Sequence, residues 1–191
     1  MNPKTRIAVL VGSLRNGSLS RQVATAAAAL APAQLGCEFV EIGALPLYNP
    51  DLEGAQVPAA WTALRSAVAS ADALLFVTPE YNRSVPGVLK NAIDVGSRPY
   101  GQSVWSGKPG AVISVSPGAL AAFGANHHLR QSLVFLDVLP MQQPEAYIGG
   151  AAGLFDASGA LVNDATREFL GKFMASFASW IQRVRRDAAA G

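Results

Sequence analysis

The chain has 191 residues, 50% of them hydrophobic and 15% charged, with a formal net charge of +2. That composition excludes a disordered chain and is long enough for one domain with a sizeable core. The small net charge and the absence of a recognition motif exclude a nucleic-acid binder; Arg183, Arg185 and Arg186 are read as cations favoured at a helix end. The lone Cys37 cannot close an internal disulfide or build a zinc site, and is expected to serve as a small hydrophobe. Met1-Asn2-Pro3-Lys4-Thr5-Arg6 leads into a strand-like segment without a signal-peptide pattern. No apolar run approaches the ~20 residues of a membrane helix. A cytoplasmic protein without membrane insertion is expected.

Ile7-Ala8-Val9-Leu10-Val11 is an unbroken apolar run, the pattern of a strand covered on both faces. Leu19, Val23, Ala26, Ala27 and Leu30 follow at helical spacing, with Pro32 as a stop. Cys37 to Ile42 reads as a second strand, and the proline-rich Gly43 to Pro58 as a long loop. Leu64, Val68 and Ala71 align a helix over Ala60 to Ser70, and Ala73 to Thr78 is a third strand. Val85, Val88, Leu89, Ala92 and Ile93 form a helical stripe, capped by Ser84 or Val85, with Pro86 in the first turn. Ala111 to Val115 is a fourth strand, Leu129, Leu133 and Leu136 mark another helix, and a short fifth strand falls within Pro140 to Ile148. Phe169, Phe173, Phe177, Trp180, Ile181 and Val184 line the last helix, capped by Asn163 or Asp164. Strands alternating with helices predict an α/β three-layer sandwich, with residues 1–191 forming a single domain. A doubly wound, five-stranded parallel sheet in the order 2-1-3-4-5 suits this length, and ligands bind such sheets at the carboxyl ends of strands 1 and 3.

Two polar loops fall there. In Gly12-Ser13-Leu14-Arg15-Asn16-Gly17-Ser18-Leu19-Ser20, glycine allows the turn, Ser13, Ser18 and Ser20 offer hydroxyls, and Arg15 offers a planar charged donor. The helix that follows presents free amides, so the loop suits a phosphate. Taken singly, Ser18 also fits an ordinary N-cap. The loop is neither a Walker A sequence nor G-x-G-x-x-G, which favours a mononucleotide. In Pro79-Glu80-Tyr81-Asn82, the side chains and amides offer donors and acceptors to a flat polar ring, and Tyr81 offers an aromatic face. Taken singly, Glu80 also fits a solvated carboxylate and Tyr81 a packed aromatic. Ser116 and Gly118, after strand 4, are placed to bring amides to the same ring or to make a plain turn. No nucleophile elbow is present, and His127 and His128 lack the partners of a metal site.

These residues resemble the NADPH-dependent FMN reductase family, the flavodoxin-like group that includes quinone, chromate and azo-dye reductases. The resemblance spans about residues 5 to 184. It is carried by Gly12-Ser13-Leu14-Arg15 with Ser18, by Pro79-Glu80-Tyr81-Asn82 with Ser84-Val85-Pro86-Gly87, by Leu89-Lys90-Asn91-Ala92-Ile93-Asp94 and by His128-Leu129-Arg130-Gln131. It implies non-covalent FMN, with Ser13, Arg15, Ser18 and Ser20 at the phosphate. Pro79, Glu80, Tyr81, Asn82, Ser116 and Gly118 would lie at the isoalloxazine. Ser20 and Arg83 depart from the residues usual in the family. NADPH or NADH would give hydride to the flavin, and a quinone or other small acceptor would then take the electrons in ping-pong order. No protein residue is required as a catalyst, because the cofactor carries the chemistry. Homodimers and, in some members, tetramers are implied, through the helix after Asn82 and the one around Leu129. The rival reading is a flavodoxin-like electron carrier, against which the near-neutral charge and Arg15 argue.

Overall fold

The structure, a computed structural model, describes residues 4–54 and 56–190, with 187–190 as backbone alone. Met1, Asn2 and Pro3, part of the N-terminal segment read above, lie outside the described residues. The central strands are β1 (Thr5–Val11), β2 (Leu35–Val40), β3 (Ala73–Thr78) and β4 (Pro109–Val115), joined by the short β5 (Leu139–Pro140) and β6 (Ala146–Ile148). The helices are α1 (Leu19–Ala29), α2 (Ala59–Ala69), α3 (Gly87–Gly96), α4 (Phe123–Phe135) and α5 (Asp164–Ala190). These strands pair in parallel in the order β2-β1-β3-β4-β5, with β6 also on β4.

The fifth strand of the expected sheet is therefore two pieces on one neighbour. Pro140 and Pro144 cannot donate to a ladder, which accounts for the break between them. The second strand starts earlier than expected, at Leu35, and pairs in register from Thr5↔Leu35 to Leu10↔Val40. Cys37 lies on it, half-buried, and burial pushes its thiol pKa up.

Alternation along β1 sends Ile7, Val9 and Val11 to one face and Ala8 and Leu10 to the other. The first face packs on α1 and on Phe173, Phe177 and Ile181 of α5. The second packs on α2, α3 and α4 through Trp61, Leu89 and Leu129. Both faces are covered, so the strands can be apolar throughout.

Asn163 caps α5, its Oδ1 accepting from the Thr166 amide at 2.9 Å. For α3 the expectation shifts: Pro86 itself is the N-cap residue, with no side-chain cap. Gly96 ends α3 against Trp105, whose Nε1 donates to the Ile93 carbonyl at 3.0 Å. A Cβ on Gly96 would lie 2.5 Å from that buried indole. Gly96→Ala gains up to about 1 kcal/mol in helix propensity, but overpacking costs about 1–3 kcal/mol. The expected net result is a loss of stability, read as a fall of about 4 °C in Tm by thermal melting.

Candidate functional site

The first loop leaves the carboxyl end of β1. Gly12 donates its amide to the Val77 carbonyl at 2.9 Å. A Cβ there would sit 3.2 Å from both Leu89 and Pro79, so the close approach of α3 and the second loop favours glycine. Gly17, at φ +67°, closes the turn, and the Ser18 amide donates to the Arg15 carbonyl at 3.1 Å. Ser18 is the N-cap of α1, with Oγ accepting from the Arg21 amide at 3.2 Å. The cap uses an acceptor position and leaves the hydroxyl proton free to donate.

Beyond that cap the amides of Leu19 and Ser20 find no acceptor among the described residues. Ser20 as a residue is only 2% exposed, and its hydroxyl, which makes no hydrogen bond among the described residues, opens onto a cleft. Unpaired amides beside a free hydroxyl at a helix start suit an anion. Arg15 stands exposed at the same mouth. Among the described residues its Nε and Nη2 reach only the Asn16 and Gly17 carbonyls, at 3.4 and 3.5 Å, the outer limit of a hydrogen bond. Arg21 is committed elsewhere, to Glu41 at 2.7 Å and to the Phe39 ring.

The second loop leaves β3. Tyr81 and Ser84 exchange backbone hydrogen bonds of 3.1 and 3.0 Å, and Asn82 (φ +52°) and Arg83 (φ +63°) are both left-handed. That is the geometry of a two-residue type I′ hairpin. Arginine is an uncommon occupant of a left-handed position, so surrounding contacts must hold it there. Tyr81 is 54% exposed and not a packed aromatic. Glu80 is not a solvated carboxylate either: its side chain is 13% exposed. Its Oε2 accepts from the Ala125 amide of α4 at 2.9 Å, and its Oε1 from Arg83 Nη1 at 3.3 Å.

In the third loop Ser116 is tied to β6 by its amide, which donates to the Ile148 carbonyl at 3.0 Å, and its Oγ accepts from the Gly118 amide at 3.0 Å. Ser13, Arg15, Ser18, Ser20, Pro79, Glu80, Tyr81 and Ser116 border one cleft of 350 Å³. Asn82, at the hairpin tip, and Gly118, beyond Pro117, lie outside it and are exposed. Leu19, Val115 and Pro117 also line it. They were missed because only their place beside the loops distinguishes them. Among the described residues, no group of three or more His, Cys, Asp or Glu is placed to hold a metal ion.

The cleft joins an anion-ready end to an aromatic, amide-rich end at the switch point of a doubly wound sheet, the arrangement of a mononucleotide site. Residues 5–153 match the model of the family described as NADPH-dependent FMN reductase. The chain belongs to that family. A quinone reductase of Pseudomonas putida is 65% identical over 179 residues, covering 94% of this chain and 96% of that protein. The 2-hydroxy-1,4-benzoquinone reductase of a Burkholderia species is 50% identical over 180 residues, covering 94% and 98%. The structure of FerB, a flavoenzyme NAD(P)H:(acceptor) oxidoreductase from Paracoccus denitrificans, matches with a TM-score of 0.88 at 42% identity, covering 94% and 98%. As a member of the NADPH-dependent FMN reductase family, the protein is an FMN-dependent oxidoreductase supplied by NAD(P)H, on a flavodoxin-like fold. The resemblance to the reductases, over nearly the whole chain, favours an enzyme over an electron carrier.

Proposed function

We propose that the chain, as one domain over 1–191, reduces quinones with electrons from NAD(P)H, using FMN held non-covalently in the 350 Å³ cleft. The observation that carries this is the Ser20 hydroxyl, free of hydrogen bonds among the described residues and open to the cleft, beside the unpaired amides of Leu19 and Ser20. Ser13, Arg15, Ser18 and Ser20 would hold the phosphate. Pro79, Tyr81 and Ser116, with the backbone of Glu80, would face the ring, and Asn82 and Gly118 would reach it from outside the cleft. Hydride acceptance from NAD(P)H and delivery of electrons to the acceptor are the chemistry that FMN supplies when bound. The chain would bind and orient it: the α1 start and Arg15 would offset the phosphate charge, and Tyr81 would offer an aromatic face at the cleft rim. Quinones are the acceptor class because the relatives at 65% and 50% identity are named for them.

Ser20→Ala tests the phosphate end. Alanine favours the helix, so the melting temperature of the flavin-free protein is expected to hold or rise. The FMN dissociation constant, by fluorescence titration, is expected to rise about tenfold through loss of a charge-assisted bond. Unchanged affinity contradicts the assignment.

We further place the protein in the cytoplasm, where NAD(P)H is supplied; among the described residues no helix is long and apolar enough to cross a membrane. Self-association through α3 and α4 is supported by a 480 Å³ cleft between them, bordered by Val85, Ile93, Arg98, His128, Phe135 and Leu136. Phe135 is 80% exposed there, and the neighbouring Val134 69%. Exposed apolar side chains beside a cleft fit a second copy of the chain. Phe135→Glu is expected to give a monomer by light scattering where the unaltered chain gives a dimer. An unchanged oligomer contradicts this interface.

A further inference from the structure

We infer that Glu80 is a positioning residue: its carboxylate latches the hairpin 81–84 to the first turn of α4, and Gly124 leaves the space that admits it. This runs against the simplest reading of an acidic residue in a ring-facing loop. α4 begins without a cap of its own. Its N-cap residue is Ala122, left-handed at φ 59°, with no side-chain bond and no acidic residue in the first turn. The Ala125 amide is one that an N-cap side chain would ordinarily meet. Glu80 meets it from 45 residues upstream, at 2.9 Å. A carboxylate there also complements the positive end of the helix dipole.

The fit depends on Gly124. A Cβ at that position would lie 2.9 Å from Glu80 Oε2 and 3.0 Å from the Arg83 carbonyl oxygen. Its absence lets the helix start lie against both the carboxylate and the hairpin backbone. The other Glu80 oxygen accepts from Arg83, one of the two left-handed turn residues. A second tie lies further along α4, where His128 Nδ1 and the Ser84 hydroxyl are 2.9 Å apart. The third loop reaches the same helix start through the left-handed Ala121 and Ala122, and Ser114 Oγ donates to the Ala121 carbonyl at 2.8 Å. The second and third loops are thus held by one helix end, and Tyr81 is presented to the cleft by that junction.

The consequence for flavin rests on the proposed FMN site; the latch itself does not. Hydrogen exchange on the full chain without added flavin reads the latch directly. In Glu80→Ala and Gly124→Ala, the Tyr81 and Ser84 amides are expected to exchange about tenfold faster, with β3 amides unchanged. Glu80→Gln keeps an acceptor for Ala125 and is expected to stay within about threefold of the unaltered chain. FMN titration is expected to follow the same order. Unchanged exchange at Tyr81 and Ser84 in Glu80→Ala overturns the latch. So does a silent Gly124→Ala alongside flavin loss in both Glu80 variants, because that pattern marks direct contact between carboxylate and flavin. If Gly124→Ala does not fold, the two Glu80 variants carry the exchange test. If the unaltered chain takes up no FMN, the functional proposal fails while the exchange result still decides the latch.

Discussion

Asn91→Ala is expected to destabilise the protein by about 3 kcal/mol, because buried backbone groups of another segment lose their partners. Asn91 is 7% exposed, on the inner side of α3. Its Oδ1 accepts from the Tyr48 amide at 2.8 Å, and its Nδ2 donates to the Leu45 and Pro46 carbonyls at 3.3 and 3.0 Å. The Pro46 carbonyl keeps a second donor in Trp61 Nε1, at 3.0 Å, whereas the Tyr48 amide has no second acceptor among the described residues. At this chain length, the loss corresponds to a fall of about 8 °C in Tm. Asn91→Asp offers no rescue, because it turns two donor contacts into oxygen facing oxygen. The segment 43–58 would then rest on Trp61, on the Tyr48–Trp61 stack at 5.3 Å and on the Arg65–Glu53 pair at 2.6 Å. Limited proteolysis within this segment should rise with the fall in Tm. An unchanged melt and digestion pattern contradicts the clamp. The effect bears on the site because Gly43 packs against Leu14 of the first cleft loop.

Arg15→Ala is expected to raise the FMN dissociation constant about thirtyfold, roughly 2 kcal/mol, through loss of a charge-assisted contact to phosphate. Among the described residues the guanidinium makes two long contacts to its own loop and no ion pair, so its removal disturbs little. The melting temperature of the flavin-free protein should therefore stay unchanged. Arg15→Lys should recover part of the affinity, since a single ammonium keeps the charge and loses the planar fork. With FMN saturating, kcat should be close to that of the unaltered enzyme, because Arg15 stands at the anion end and not beside Tyr81. Unchanged FMN affinity by fluorescence titration contradicts the role, and a fall in kcat at saturating FMN would move Arg15 toward the ring.

Much of the fold was legible because both faces of the sheet are covered. Ile7 to Val11 and Ala73 to Thr78 are unbroken apolar runs for that reason, and the helical stripes between them fix the winding. The loops after β1 and β3 could be located from their polar residues alone. The break in the fifth strand was less visible, since two prolines demote a strand without saying where pairing resumes. Glu80 shows the deeper limit. Its residue type suggested a ring ligand or a solvated group, but its partner is a helix amide 45 positions away. No local pattern announces that Ala122 lacks a capping side chain and that Gly124 leaves room. Asn91 is similar: a polar residue on a buried helix face signals a contact without naming the segment it holds. Ser18 carried two readings from the start, and its oxygen does cap α1, as the simpler of them expects.

An FMN held in the cleft should turn over with NAD(P)H and a quinone. The most direct test is an absorption spectrum of the purified chain with FMN, followed by anaerobic NADPH and then a benzoquinone. A protein-bound flavin band is expected that bleaches within seconds of NADPH addition and returns when the quinone is added. A chain that takes up no FMN contradicts the site, and bound flavin that NADPH reduces only slowly contradicts the reductase and points to an electron carrier.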